Sequence, residues 1–131
     1  MTEAKVATTR EESLKLIEFG LDSDTADMYW GYQREKPMPL PHADVEVKAL
    51  CVPAWTSGRL LDALPVIDED IRPIIERCWN GKYACKYMHF DEVEGTATMH
   101  IRRFGDTPVD AAYAMMRYML TGYKEDSDAK E

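Results

Sequence analysis

The chain has 131 residues, with 24 Asp and Glu against 16 Lys and Arg and a formal charge of −8. That length fits one domain, and a chain of this size buries roughly two-thirds of its unfolded surface without a disulfide or metal to staple it. Phosphate contacts supply most non-specific nucleic-acid affinity, so acidity argues against direct DNA or RNA binding. No apolar run reaches the ~20 residues of a membrane span or the ~7–15 of a secretory signal, so the expectation is a cytoplasmic protein without a membrane partner.

A helix is predicted over about 9–19, where Thr9 and Glu12 fit a capping box and Leu14, Ile17 and Leu21 share a face with Leu16 beside it. Gly20 is a left-handed stop, and Leu21 can pack back on Leu16. Asp24 then caps a single turn that carries Met28 inward. Tyr29, Trp30, Gly31 and Tyr32 lead into a loop holding Pro37, Pro39 and Pro41, which neither a helix nor a central strand accommodates. Alternation of Val45, Val47, Ala49 and Cys51 with Glu46 and Lys48 predicts a strand over about 44–51, ended by Pro53.

Thr56 caps the next helix, with Trp55 stapled on Leu60, an apolar face of Leu60, Leu61 and Leu64, and a stop at Pro65. The spacing of Ile71, Ile74, Ile75, Cys78 and Trp79 (i, i+3, i+4, i+7, i+8) predicts another helix, opened by Asp70 and ended by Asn80-Gly81. A hairpin follows over about 82–104, turning at Asp91–Gly95. Setting Phe90 opposite Thr96 puts Tyr83, Cys85, Tyr87, His89, Ala97, Met99 and Ile101 on the core face. Lys86, Met88, Phe90, Thr96, Thr98, His100 and Arg102 then fall on the other. A last helix over about 107–121 is capped by Asp106 or Thr107, has Pro108 in its first turn, buries Val109, Ala112, Met116, Met119 and Leu120, and ends at Gly122.

The fold class expected is α+β: a small antiparallel sheet, made of the 82–104 hairpin and the 44–51 strand, covered on one face by three to four helices. One domain occupies 1–123, and the charged tail 124–131 is expected to be disordered.

No constellation assembles catalytic, cofactor or metal chemistry. Cys51, Cys78 and Cys85 are odd in number and match no disulfide framework, which fits reduced core residues. Cys85 and His89 on one strand would stand about 13 Å apart, too far for one zinc ion or a thiol–imidazole pair. His42 is remote in sequence, and His100 points away from both in the predicted register. The acidic clusters Asp22-Asp24-Asp27 and Asp68-Glu69-Asp70 lie at predicted helix starts, where carboxylates cap and complement the dipole. No glycine-rich phosphate loop occurs. Met115, Met116 and Met119 on the last helix fit ordinary core better than an adaptable groove. Tyr29, Trp30 and Tyr32 are the candidate partner-binding residues, because Tyr and Trp are favoured interface anchors and a proline-rich loop follows them.

Three segments taken in order carry a family resemblance. They are Glu12-Ser13 through Thr25-Ala26-Asp27-Met28, then Val52-Pro53-Ala54-Trp55 through Leu60-Leu61-Asp62-Ala63-Leu64-Pro65, then Asp106-Thr107-Pro108-Val109-Asp110-Ala111-Ala112-Tyr113-Ala114-Met115-Met116. Together the set resembles a group of small uncharacterised proteins encoded by phages and prophages of gut bacteria. The resemblance implies a cytoplasmic phage accessory protein and carries no catalytic residue. The function expected is therefore non-enzymatic: binding of a host or phage protein, such as inhibition of a host defence nuclease of the CRISPR effector kind. The alternatives are a homo-oligomeric assembly protein and a small enzyme with a tertiary site built from Asp24, Asp27 or His89.

Overall fold

Short strands in the first half of the chain and long ones in the second build two separate antiparallel sheets in this computed structural model, which describes residues 5–31, 36–39, 51–67, 71–91 and 93–122. Helix α1 (Arg10–Glu18) starts at the predicted capping box: the Glu12 amide donates to the Thr9 hydroxyl at 3.1 Å, and the Thr9 amide donates to the Glu12 carboxylate at 2.9 Å. Gly20 takes φ 109°, which lets the Leu21 amide reach the Leu16 carbonyl at 2.9 Å and close the end. The buried face differs from the expected one. Ser13 and Leu16 are buried, whereas Leu14 and Ile17 are exposed. The hydroxyls of Thr8 and Ser13 meet at 2.7 Å in the interior, so a satisfied polar pair turns this side of the helix inward.

The following 3₁₀ turn (Ser23–Thr25) is capped by Asp22, whose carboxylate accepts from the Asp24 amide at 2.9 Å; Asp24 is not the cap. Met28 does not ride on that turn but opens β1 (Met28–Trp30). Strands β1, β2 (Met38–Pro39) and β3 (Val52–Ala54) form the first sheet in the order β2-β1-β3. Pro39 and Pro53 both lie on edge strands, where a missing amide breaks no interior ladder. Pro53 therefore belongs to a strand it was expected to end. Of the strand predicted over 44–51, residues 44–50 lie outside the described residues and Cys51 is a bend before β3. The tail 124–131 also lies outside them.

Helix α2 (Ser57–Ala63) is capped by Thr56, which accepts from the Arg59 amide at 3.2 Å. Trp55, Leu60 and Leu64 enter the core together, as expected.

The helix expected from Asp70 to Asn80-Gly81 is overturned: the segment is strand β4 (Ile71–Arg77), followed by a turn. Residues i and i+4 share a face in either period, so Ile71 and Ile75 pack on the core in both readings. The β-branched isoleucines favour the strand, and Pro73 is tolerated because β4 is an edge. Trp79, expected on the buried stripe, is 99% exposed on the turn.

β5 (Tyr83–Asp91) and β6 (Thr96–Gly105) complete the second sheet in the order β4-β5-β6. The hairpin register departs by one residue from the expected one: Asp91, not Phe90, faces Thr96. A bulge opposite Tyr87 and Met88 widens the offset to two, so Tyr87 faces Ile101 where Met99 is expected, and the even shift returns Tyr83, Cys85, Tyr87 and Ile101 to their predicted core side.

Helix α3 (Pro108–Thr121) lies across the inner face of this sheet. Thr107 caps it through the Asp110 amide at 3.1 Å, and Gly122 ends it at φ 74°. Its buried side is wider than expected and includes Ala111, Tyr113, Met115 and Tyr118. Leu16, Leu60, Met115 and Met116 are fully buried at the centre, each contributing ~1.5–3 kcal/mol by removal from water. Within the first half, the Trp55 amide donates to the Thr8 hydroxyl at 3.1 Å, and Lys5 pairs with Glu12 on α1 and, across the two halves, with Asp110 on α3. Burial works against the Lys5 charge, but the hydrogen bonds to Asp110 and Glu12 outweigh it and raise its pKa. Among the described residues, no helix is long and apolar enough to cross a membrane.

Candidate functional site

Two of the predicted recognition residues, Tyr29 and Trp30, fall on β1 of the first sheet. Tyr29 is half-buried on β1 between Met38 and Pro53. Trp30 is pinned: its Nε1 donates to the Thr8 carbonyl at 2.8 Å, and the Arg10 guanidinium stands 5.1 Å from its ring centre. Arg10 also donates to the Gly31 carbonyl at 2.8 Å. Tyr32 lies outside the described residues. These contacts hold the start of the aromatic run to α1 and the segment before it, which makes Trp30 a fixed side chain.

The groups considered for chemistry are largely occupied in structural work. Both oxygens of Asp27 accept from Thr56, from its amide at 3.0 Å and its hydroxyl at 2.6 Å, and tie the 3₁₀ region to the start of α2. Asp24 is exposed beside the cap, and His89 stands on β5 in the other sheet. Cys85 is buried against the core, and burial pushes its thiol up to about 12, far from the thiolate a nucleophile needs. Tyr87 donates its hydroxyl to the Pro65 carbonyl at 2.7 Å, and burial holds its phenol at about 12 as well. Among the described residues, no group of three His, Cys, Asp or Glu side chains is placed to hold a metal ion. The cluster Asp68-Glu69-Asp70 lies outside the described residues. The helix methionines are core: Met115 and Met116 are fully buried and Met119 packs against them.

A second surface emerges from the register of the second sheet. Residues paired across strands share a face. The inner set, Ile71, Ile75, Tyr83, Cys85, Tyr87 and Ile101, belongs to the core under α3. The outer rows read Glu76–Ala84–Phe104, Ile74–Lys86–Arg102, Arg72–Met88–Met99 and Phe90–Ala97. Phe90, Met99 and Phe104 on this face remain 38%, 42% and 50% exposed. Among the described residues no element covers it.

The electrostatics of the outer face run against those of the whole chain. Arg72, Lys86 and Arg102 stand there against the single carboxylate of Glu76, a local positive excess on a chain of net −8. Glu76 pairs with Lys86, and the Arg102 guanidinium lies 5.1 Å from the Phe104 ring centre. Arg72 also borders a shallow cleft of about 480 Å³ between α2 and β4, lined by Leu61, Leu64, Val66 and Ile71. The arrangement is an open face on which the Ile74–Lys86–Arg102 row separates Phe104 from the cluster of Met88, Met99 and Phe90, suited to contact a large surface and not to enclose a small reactant.

Part of this surface was visible in the strand pattern, where Met88 and Phe90 stand out among Lys, Thr and Arg. The isoleucine spacing alone puts Ile74 on a helix, and a register without the bulge puts Met99 on the core side. No protein-family model, curated protein or solved structure matches the chain.

Proposed function

We propose that the protein acts without catalysis, by binding another protein through the outer face of the β4-β5-β6 sheet. The observation that supports this reading is the uncovered patch of Phe90, Met88, Met99 and Phe104. Exposed aromatic and methionine side chains interleaved with arginine are characteristic of protein contacts. Charge defines the complementary surface: apolar side chains bordered by carboxylates, which Arg72 and Arg102 would meet. The resemblance to small phage and prophage proteins supports an accessory role in which the partner is a host protein. The partner class we favour is a host defence nuclease, such as a CRISPR effector, inhibited on binding.

The test is nuclease cleavage with and without the purified protein, alongside the double variant Phe90→Glu and Phe104→Glu. Both side chains are exposed, so the variant is expected to keep the wild-type circular dichroism and melting temperature. Inhibition by the wild type that disappears in the variant supports the reading. Equal inhibition by both excludes this face as the contact.

A further inference from the structure

The same sheet has a second unsatisfied feature, its edge. Strand β6 is hydrogen-bonded to β5 on one side and, among the described residues, to nothing on the other. Thr96, Ala97, Thr98 and Met99 are all exposed although alternate residues point to opposite faces, so neither side of this half is covered. An open edge presents a row of backbone donors and acceptors that templates another strand. Natural edges are blunted by prolines, charges or bulges. β4, at the opposite edge, has Pro73 at its third residue. Thr96–Met99 has no proline and no charge, and its bulge comes only after Met99.

Charge selects what can pair with it. Asp91 and Glu94 flank the turn before β6, and Arg102 stands toward its far end. The strand is therefore acidic at one end and basic at the other. A copy laid alongside in parallel would set like charge beside like. A copy laid antiparallel, about a two-fold axis near Thr98, brings the acidic turn of each copy, with Glu94, toward the end of the other that carries Arg102. A two-fold contact of this kind uses the same patch twice and closes on itself.

We infer that two copies of the chain join by antiparallel pairing of their β6 edges through Thr96–Met99. The product is a six-stranded sheet in which the two outer faces run together. The contact uses the edge, so the face stays open, and self-association stands independently of the function proposed above.

Light scattering on the full chain, across a dilution series, tests the inference. The wild type is expected to weigh as a dimer at micromolar concentration. Glu94→Arg alone, or Arg102→Glu alone, turns two symmetry-related pairs from attraction to repulsion and should weaken the dimer roughly tenfold. The double exchange restores opposite charges and should recover most of the affinity, an outcome that mere misfolding does not produce. A wild type monomeric up to high micromolar concentration overturns the inference, as does a dimer that neither single reversal weakens. A monomer that still inhibits its nuclease would sink the edge contact alone, and a dimer that inhibits nothing would sink the function alone.

Discussion

Substituting Gly105 by alanine tests how tightly the C-terminal helix is seated on the sheet. Gly105 is the last residue of β6, opposite Tyr83, and α3 begins three residues later and folds back over it. A Cβ at this position would lie 2.4 Å from the Ala111 backbone nitrogen and 2.6 Å from both the carbonyl carbon and the Cβ of Asp110. Ordinary contacts begin about an ångström further out, and two of these three atoms are backbone within a capped first turn, so no side chain can swing aside. The helix must move away from β6, loosening contacts made by fully buried Met115 and Met116. Overpacking of this kind costs ~1–3 kcal/mol. Gly58→Ala is the matched control: its Cβ would meet nothing within 4 Å inside α2, where alanine is favoured over glycine by ~0.5–1 kcal/mol. Urea unfolding followed by circular dichroism separates the two, since the midpoint should fall for Gly105→Ala and rise slightly for Gly58→Ala. A Gly105→Ala protein with a wild-type midpoint would refute the close seating of α3 on the strand end.

Thr8→Val keeps the shape but removes the acceptor of the Trp55 amide and the partner of the Ser13 hydroxyl, so unfolding should show a loss of ~1–3 kcal/mol. Adding Ser13→Ala removes one of the two stranded groups, and the double variant should cost less than the sum of the single ones. Alkaline pH should destabilise the fold. Burial holds Cys85 and Tyr87 at about 12 against ordinary values of 9.0 and 10.0, so the unfolded chain ionises first. Their contribution is complete below pH 9 and declines toward 12, at up to ~1.4 kcal/mol per pH unit for each group. Cys85→Ala should flatten the part of that decline between pH 9 and 10, read by urea midpoints across the range. Asp27→Ala strips the carboxylate from the Thr56 amide and hydroxyl and should lower stability by ~0.5–2 kcal/mol, seen as a drop in melting temperature.

Features specified by a few neighbouring residues were legible before the fold was known. The Thr9–Glu12 box, the Gly20 stop, the Thr56 and Thr107 caps and the inner set of Tyr83, Cys85 and Tyr87 all depend on local chemistry. Features decided by distant partners were not. Which side of α1 is buried depends on Thr8 meeting Ser13 beneath Trp55. The strand at Ile71–Arg77 exists because β5 offers it a ladder, and its isoleucine spacing fits both periods. The bulge in β6 shifts Met99 to the outer face, and only cross-strand pairing reveals it. The candidate face was correspondingly half legible, with Met88 and Phe90 visible and Ile74, Met99 and Phe104 hidden. Tyr29 and Trp30 have the residue types of interface anchors, and local sequence does not show the contacts of Trp30 with Thr8 and Arg10 that hold its ring in place.

The pairing of Lys5 with Asp110 spans 105 residues of chain. The second sheet and its helix, in contrast, are built from successive neighbours between Ile71 and Thr121. Local connections close fast and distant ones slowly. On the ribosome the order of emergence runs the other way: Trp55 and the first sheet leave the exit tunnel before α3 exists to bury them. At roughly 5–20 residues per second, that apolar surface waits on the order of several seconds for its cover. A nascent-chain chaperone would have that interval to cover for the early half, while the late half closes through contacts between chain neighbours, whose loop entropy costs least.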